Sequence, residues 1–330
     1  MKAVEYTKYG MPSNLKLVEV EKPIPKDNEI LVKVYASSIN SADLRYLRAD
    51  PFFVRLMGQG LLKPKVTILG VDIAGKVEAI GKNITLFQVG DEVYGEIFDS
   101  GLGGFAQYKC VPEHKSIAIK PKNMTYEQAA SVPVAGITAI QGLRDFGHIK
   151  VGKKVLINGA SGGVGSFAVL FAKAYGSTVT GVCSTKNVDM VRSIGADIVI
   201  DYKKEDFTKN GEQYDLIFDV AANLSVADIK NTLAPNGVCV VVGFSSIPKM
   251  LKLTLQGSKV SKKGNIEIGH MGSSKPSNKE LDFLRELMED NNIVPAIDRT
   301  YPLNETAEAM RYFEDEHAKA KVVITINHEE

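Results

Sequence analysis

The segment 154–175 constrains the fold more than any other, because it joins a buried strand, a glycine-rich turn and an apolar helix. It runs KVLINGASGGVGSFAVLFAKAY, with a predicted strand over Lys154–Gly159 and a predicted helix over Val164–Tyr175. Glycine lets the backbone approach a pyrophosphate without a Cβ clash, and a helix start presents unpaired N–H groups to an anion. The alternative is a purely structural tight turn. The pattern predicts a dinucleotide phosphate site at Ala160, Ser161, Gly162, Gly163 and Val164.

Strand and helix patterns alternate at intervals of about 20–25 residues after residue 123, as βαβ units do. Further strands are predicted at Ser177–Ser184, Asp197–Tyr202, Asp215–Ala221, Val238–Phe244 and Asn265–Met271. Six strands with intervening helices indicate a doubly wound parallel α/β sheet. Short β-rich runs bounded by turn residues occupy the two ends of the chain. We therefore predict a β-rich domain (1–122 plus 292–330) with an α/β domain (123–291) inserted.

The end of the second predicted strand indicates which dinucleotide binds. NAD sites place an acid there to bind the ribose 2′-hydroxyl, whereas a cation accommodates the 2′-phosphate of NADP. Here the segment GVCSTKN offers Ser184, Lys186 and Asn187 and no acid. Tyr202, at the end of the third strand, either packs beside the same phosphate or is an ordinary strand-end tyrosine. The pattern predicts NADP(H), unless Lys186 is a solvated surface lysine.

Composition excludes several classes of partner. The 330 residues carry 40 Lys+Arg against 39 Asp+Glu, so the net charge of +1 favours neither nucleic acid nor a membrane surface. Cys110, Cys183 and Cys239 are too few and too far apart for a disulfide framework or a zinc site. The first residues do not resemble a signal peptide, and no apolar run approaches the ~20 residues that span a bilayer. We expect a reducing, cytoplasmic location and a small-molecule substrate.

Seven stretches in order along nearly the whole chain resemble the medium-chain dehydrogenase/reductase superfamily. Within it they resemble the zinc-independent quinone oxidoreductase-like branch, which includes zeta-crystallin. The stretches are ASSINSADLR, ILGVDIAGKVEAIG, VGDEVYG, GGFAQY, AASVPVAGITA, NGASGGVG and GADIVIDY. The resemblance implies a Rossmann doubly wound sheet inserted into a GroES-like catalytic domain. It also implies a homodimer formed through the edge of the fifth and sixth strands.

The resemblance also marks where zinc alcohol dehydrogenases of the superfamily carry catalytic ligands. These positions hold Asn40, the run Gly70-Val71-Asp72 and a residue near Val134, none of them Cys or His. We therefore expect no metal. Without a Lewis acid, conjugated acceptors are the easier substrates, because their negative charge spreads onto an enolate or hydroquinone oxygen. The expected reaction is NADPH-dependent hydride transfer to quinones or α,β-unsaturated carbonyls.

Further site residues follow from the resemblance, each with a structural alternative. Asn40 either donates to a substrate oxygen or ribose, or satisfies backbone groups in a turn. Asp43 lies next to the site, or serves as the N-cap or first-turn acid of a helix over Ala42–Arg48. Tyr46 either donates to substrate or packs in the core. The expected cofactor contacts are Thr138, Gly243, Phe244, Ser245 and Lys321, the last with a surface lysine as the alternative.

Three other functions remain open on the sequence. An enoyl-thioester reductase needs a long acyl channel and usually a basic patch for the carrier phosphate, and no such cluster is visible. Alcohol or aldehyde dehydrogenase-like activity is the second alternative. A non-catalytic NADPH-binding sensor or structural protein is the third.

Overall fold

The computed structural model describes residues 1–52, 54–55, 60–243, 247–261, 265–315 and 318–328, and for 247–252 the backbone alone. The chain divides into two compact units. The first comprises Met1–Val134 and Pro276–Glu330, and the second is the inserted stretch Ala135–Lys275. Among the described residues, no helix has the length and apolar character needed to cross a membrane.

The first unit is built on β-strands from both ends of the chain. They are β1 (Lys2–Glu5), β2 (Lys16–Glu19), β3 (Glu29–Ser38), β4 (Asp72–Ile80), β5 (Glu92–Glu96), β6 (Tyr108–Pro112), β7 (Ile117–Ile119), β14 (Ile297–Pro302) and β15 (Lys321–Thr325). The main sheet has the order β14-β15-β3-β4-β5-β7, with β6 also on β3, while β1 and β2 form a separate antiparallel pair. Apolar side chains of these strands pack into one core, which includes Ile30, Val32, Ile73 and Val322.

The second unit is a parallel sheet with helices between its strands. The strands are β8 (Lys154–Asn158), β9 (Thr178–Cys183), β10 (Ile198–Asp201), β11 (Tyr214–Asp219), β12 (Leu233–Val241) and β13 (Glu267–His270). Their order is β10-β9-β8-β11-β12-β13, and every neighbouring pair is parallel. This is the doubly wound Rossmann arrangement, so the predicted fold class is confirmed.

The α-helices lie in both units. They are α1 (Ser41–Arg48), α2 (Tyr126–Ala130), α3 (Pro133–Gln141), α4 (Gly163–Ala174), α5 (Val188–Ser193), α6 (Val226–Thr232), α7 (Ile247–Ser261), α8 (Asn278–Asp290) and α9 (Thr306–Asp315). Four of these helices, α2, α3, α7 and α9, were not predicted from the sequence. In α9 the buried residues Thr306, Ala309 and Met310 follow helical spacing, but ten residues carry too short a pattern to stand out.

The compact units divide at different residues from the predicted domains. The breaks fall after Val134 and Lys275, so α8 belongs to the first unit. Two hydrogen bonds explain this: Tyr94 Oη donates to the Leu281 carbonyl at 2.6 Å, and Asn278 Nδ2 donates to the Glu113 carbonyl at 2.8 Å. Local periodicity shows the helix, but it does not show these long-range partners.

Candidate active site

The glycine-rich turn connects β8 to α4 in the second unit. Gly159 has a φ of +89°, and its carbonyl accepts a hydrogen bond from the Gly162 N–H at 3.1 Å. A Cβ at Gly165 would lie 2.0 Å from the Gly159 carbonyl oxygen, so that position admits glycine only. The first N–H groups of α4 have no helical partner and form a natural anion site. The turn therefore fits the pyrophosphate of a dinucleotide.

The end of β9 lies beside this turn. Asn187 Nδ2 donates to Ser161 Oγ at 2.9 Å, and Asn187 Oδ1 is buried with no hydrogen-bond partner among the described residues. Tyr202, 57% exposed, follows β10, and its N–H donates to the Cys183 carbonyl at 3.1 Å, which places it next to Ser184. The predicted residues of the phosphate turn and of the adenosine end thus come together. An unpartnered buried acceptor at this point suits a bound polar group.

Asp201, at the end of β10, is an acid in this region that was not among the predicted site residues. Its Oδ2 accepts from Thr185 Oγ1 at 2.7 Å, and its Oδ1 accepts from the Lys203 N–H at 3.1 Å. The bond from Thr185 lowers the pKa of Asp201, and Lys204 lies 3.7 Å from it. Because these donors hold the carboxylate, Asp201 fixes the turn that carries Lys186.

The remaining predicted cofactor residues of the second unit are only partly described. Thr138 is half-buried on α3. Gly243 follows β12 with a φ of +77°, and His270 Nε2 donates to its carbonyl at 2.7 Å. His270 Nδ1 accepts from the Gly272 N–H, so the ring ties the ends of β12 and β13 together. Phe244 and Ser245 lie outside the described residues.

A buried group of charged and amide side chains lies in the first unit. We call it the acid–lysine cluster, and its members are Asn40, Asp43, Asp72, Glu96 and Lys321. Sheet register explains part of it, because Asp72 is directly opposite both Ser38 on β3 and Glu96 on β5. Residues directly opposite in an antiparallel sheet project from the same face. The start of α1 and the start of β15 supply the other members.

Asp72 is at the centre of the cluster. Its Oδ2 accepts from Ser38 Oγ and from Asn40 Nδ2, both at 2.9 Å, and its Oδ1 accepts from the Val134 N–H at 3.1 Å. Lys321 Nζ lies 3.6 Å from the same carboxylate. Burial raises the pKa of Asp72, and Lys321 counters that rise.

The side-chain amide of Asn40 makes all its hydrogen bonds to other groups of the protein. Its second amide hydrogen points to the Ser38 carbonyl at 3.3 Å, and its Oδ1 accepts from Lys321 Nζ at 2.7 Å. The predicted donation from Asn40 to a substrate oxygen does not fit these contacts, because both N–H groups already have acceptors. The structure favours the alternative, in which this side chain satisfies polar groups of the protein.

Lys321 is 2% exposed, so the interpretation as a surface lysine is wrong. Its ammonium donates to Asn40 Oδ1 and to the Ile39 carbonyl and pairs with Asp72. Burial lowers the pKa of Lys321, and the two aspartates oppose that shift. These three partners account for the three N–H donors, so the geometry favours a role inside the cluster over the predicted cofactor contact.

Asp43 lies in the first turn of α1, which is one of the two predicted alternatives. Its Oδ2 accepts from the Asn40 N–H at 2.8 Å, and its Oδ1 accepts from the Gly70 N–H at 2.9 Å. Burial raises the pKa of Asp43 to about 7, against the effect of those two bonds. The Asp43 side chain therefore ties the start of α1 to the loop before β4. Its link to the rest of the acid–lysine cluster is the hydrogen bond from the Asn40 N–H.

Tyr46 and Glu96 complete this part of the site. The ring of Tyr46 makes an edge-to-face contact with Phe98, with 5.4 Å between ring centroids. The Phe98 N–H donates to Glu96 Oε1 at 3.2 Å. Sequence reasoning missed Glu96, although a glutamate in the otherwise apolar run VYGEIF was a usable signal.

The residues at the positions where zinc alcohol dehydrogenases carry their ligands do not fit a zinc ion. Asp72 already accepts three hydrogen bonds and pairs with an ammonium, the Asn40 amide oxygen accepts from the same ammonium, and Val134 has no side-chain donor atom. Zinc sites need thiolate, imidazole or free carboxylate ligands. Among the described residues, no group of three or more His, Cys, Asp or Glu side chains has the arrangement of a metal site.

Two family models match separate stretches of the chain. Residues 26–122 match the family described as alcohol dehydrogenase GroES-like domain, and residues 194–324 match the one described as zinc-binding dehydrogenase. The solved structure of the quinone oxidoreductase from Coxiella burnetii superposes with a TM-score of 0.84 at 28% identity, covering 99% of each chain.

Two curated relatives are similar over nearly all of this chain. The 2-methylene-furan-3-one reductase of Solanum lycopersicum is 32% identical over 337 residues, which cover 98% of this chain and 79% of the relative. The NADPH-dependent alkenal/one oxidoreductase of Arabidopsis thaliana, a chloroplastic protein, is 32% identical over 339 residues with the same coverage. Together with the Rossmann sheet and the GroES-like unit, these similarities show that the chain belongs to the quinone oxidoreductase-like branch of the medium-chain dehydrogenase/reductase superfamily, a family of NAD(P)H-dependent oxidoreductases.

Proposed function

We propose that this protein reduces quinones or α,β-unsaturated carbonyls with NADPH and without zinc. The observation that carries the proposal is the acid–lysine cluster: Lys321, Asn40 and Asp72 satisfy one another where zinc ligands would be needed. Where neither a Lewis acid nor a charged donor faces the carbonyl oxygen, an isolated carbonyl is reduced poorly, because nothing strong stabilises the alkoxide. A conjugated acceptor spreads the charge itself, so hydrogen-bond donors suffice.

Residues of both units would hold the two reactants, NADPH and the conjugated acceptor. NADPH supplies the hydride when it is bound. The turn at 160–164 holds its pyrophosphate, and Ser184, Lys186, Asn187 and Tyr202 hold the 2′-phosphate end. Tyr46 is the proposed hydrogen-bond donor to the acceptor, and Asn40, Asp43 and Lys321 position the start of α1 that carries it.

The acceptor screen is the direct test. Purified protein should oxidise NADPH with 9,10-phenanthrenequinone and with 2-alkenals, at rates that a metal chelator does not change. Saturated aldehydes should be turned over much more slowly, since they lack the conjugated position. Turnover of saturated aldehydes alone, or loss of activity on chelation, would reject the proposed chemistry.

Lys186→Ala should raise the dissociation constant for NADPH by about 10–100-fold, the value of a hydrogen bond to a charged group. NADH lacks the 2′-phosphate, so its affinity should stay within about twofold. Fluorescence titration of both nucleotides measures this. Lys230→Ala, an exposed lysine on α6, is the matched control and should leave both constants unchanged. An equal loss for NADPH and NADH in Lys186→Ala would show that Lys186 does not bind the phosphate.

We also infer a homodimer and a cytoplasmic location. Among the described residues β13 pairs with β12 on one side, which leaves the other edge of the strand available to a second copy. Light scattering should give the mass of two chains. The three cysteines are free, which suits a reducing compartment such as the cytoplasm, although the named relatives include a chloroplastic protein.

A further inference from the structure

A side-chain network joins the carboxyl ends of β8 and β11, the two strands at which the order of the parallel sheet reverses. Asn158, the last residue of β8, is paired in register with Asp219, the last residue of β11. The Val220 and Ala221 N–H groups donate to the Asn158 carbonyl at 3.0 and 3.2 Å. In sheets of this order a dinucleotide binds in the crevice outside the strand ends, at the point of reversal. The network therefore lies where a bound dinucleotide crosses from one half of the sheet to the other.

Asp219 sets the direction of the hydrogen bonds in this network. It is completely buried, and its Oδ1 accepts from Asn158 Nδ2 at 2.7 Å and from the Ala222 N–H at 2.9 Å. Its Oδ2 accepts from the Leu224 N–H at 3.5 Å. A carboxylate surrounded by donors acts only as an acceptor, so the Asn158 amide must turn its nitrogen towards Asp219.

Asn158 passes this direction on to Asn223. Its Nδ2 also donates to Asn223 Oδ1, at 2.8 Å. Because both amide hydrogens of Asn158 are then used, Asn223 can meet it only with its oxygen, and the Asn223 nitrogen faces away. Asn223 is exposed, and its Nδ2 donates to no acceptor among the residues that the structure describes. The buried carboxylate of Asp219 thus leaves two N–H donors of Asn223 open to a ligand.

The loop that carries Asn223 packs on the glycine-rich turn. A Cβ at Gly159 would lie 3.2 Å from the Ala221 nitrogen, so the two segments are in close contact. Ala222 has a φ of +50°, in the left-handed region, and the hydrogen bond from its N–H to Asp219 supports that conformation. Non-glycine residues held in this region cost free energy and cluster at ligand sites. The open donors of Asn223 therefore lie on a loop that is fixed against the phosphate turn.

We propose that Asn223 binds the ribose of the nicotinamide half of NADPH, and that Asp219 and Asn158 are positioning residues for it. The inference rests on the proposed function, in which the turn at 160–164 holds the pyrophosphate. The residues proposed for the 2′-phosphate follow β9, and β11 lies on the other side of β8. A dinucleotide that runs from β9 across β8 reaches β11 with the ribose that follows its pyrophosphate. The hydroxyl oxygens of that ribose are acceptors for the two N–H groups of Asn223.

Calorimetric titration with three ligands tests this assignment without turnover. The ligands are NADPH, 2′-phospho-ADP-ribose, which lacks the nicotinamide ring, and 2′-phospho-ADP, which lacks that ribose as well. In Asn223→Ala the dissociation constants for the first two should rise by about 3–10-fold, the value of one hydrogen bond. The constant for 2′-phospho-ADP should stay within about twofold. Asn231→Ala, which replaces an exposed asparagine on α6, is the matched control and should leave all three constants unchanged.

Asp219→Asn tests the positioning role. The new amide can donate as well as accept, so it no longer fixes the direction of the network. This variant should show the same selective loss as Asn223→Ala, and the double variant should lose no more than Asn223→Ala alone, because a single contact is removed in each case. Additive losses in the double variant would overturn the positioning role.

Asn223 is exposed, so Asn223→Ala decides the ribose contact even if Asp219→Asn does not fold. An equal loss for all three ligands would show that Asn223 supports the turn or binds the pyrophosphate instead. A loss confined to NADPH would place the contact on the nicotinamide ring, and unchanged constants would remove the contact altogether. Each of these results would overturn the ribose assignment. Wild-type protein that binds no NADPH would instead reject the proposed function itself, and this inference with it.

Discussion

Replacing Lys321 with methionine should lower the free energy of unfolding by about 3–5 kcal/mol at pH 8, the cost of leaving buried charge uncompensated. The ammonium is the single cation within bonding or pairing distance of Asn40 and Asp72 among the described residues, and it is buried with them. At pH 6 the loss should be smaller. Burial raises the pKa values of Asp43 and Glu96 to about 7, so these groups take up protons there and need no counter-ion. Urea unfolding at both pH values measures the difference.

Two further variants separate charge from packing. Lys319→Met is the matched control, since Lys319 is half-buried two residues before Lys321, and within the described residues its side chain pairs with no acid. It should change stability by less than about 0.5 kcal/mol. Adding Asp72→Asn to Lys321→Met should recover part of the loss, because it removes the unpaired negative charge. A loss in Lys321→Met that is equal at pH 6 and pH 8 would contradict the electrostatic explanation.

Gly165→Ala should raise the dissociation constant for NADPH by about 100-fold and lower the melting temperature. The added Cβ would lie 2.0 Å from the Gly159 carbonyl oxygen and 3.0 Å from the Ala160 Cα. All of these atoms belong to the backbone, so the turn itself must move. Calorimetric titration with NADPH, together with a thermal scan, measures both effects.

Gly162→Ala distinguishes binding from folding. Its Cβ would meet the Gly159 carbonyl oxygen at 3.6 Å, an ordinary contact, and its φ of −83° suits alanine. Its melting temperature should therefore stay close to wild type, while its NADPH affinity falls because the backbone is no longer bare at the pyrophosphate. Wild-type affinity in Gly165→Ala would show that this turn does not hold the cofactor.

The parallel sheet could be predicted from sequence because its signals are local. Strands buried on both faces give continuous apolar runs such as Val155–Ile157, and the turn at 159–165 follows one directly. The predicted and observed ends of these strands differ by a few residues, because periodicity indicates that a strand is present but does not show where its last hydrogen bond lies.

The acid–lysine cluster could not be predicted in the same way. Asn40, Asp72, Glu96 and Lys321 come from four parts of the chain and meet through the register of an antiparallel sheet. No local pattern carries that register. Lys321 in AKAKVVI therefore resembles an exposed lysine at the start of a strand, and Asn40 resembles an open hydrogen-bond donor, until their partners are known.

The position of the transferred hydrogen distinguishes metal-free reduction of the conjugated double bond from metal-assisted reduction of the carbonyl. Chelator-treated protein should be incubated with NADPH deuterated at the transferring position and a 2-alkenal, and the product analysed by mass spectrometry and NMR. We expect a saturated aldehyde with deuterium on the β-carbon. Untreated protein is run in parallel. If it forms an allylic alcohol with deuterium on the carbonyl carbon, and chelator-treated protein forms no product, the enzyme reduces the carbonyl with the help of a metal, which would contradict zinc-independent reduction of the conjugated double bond.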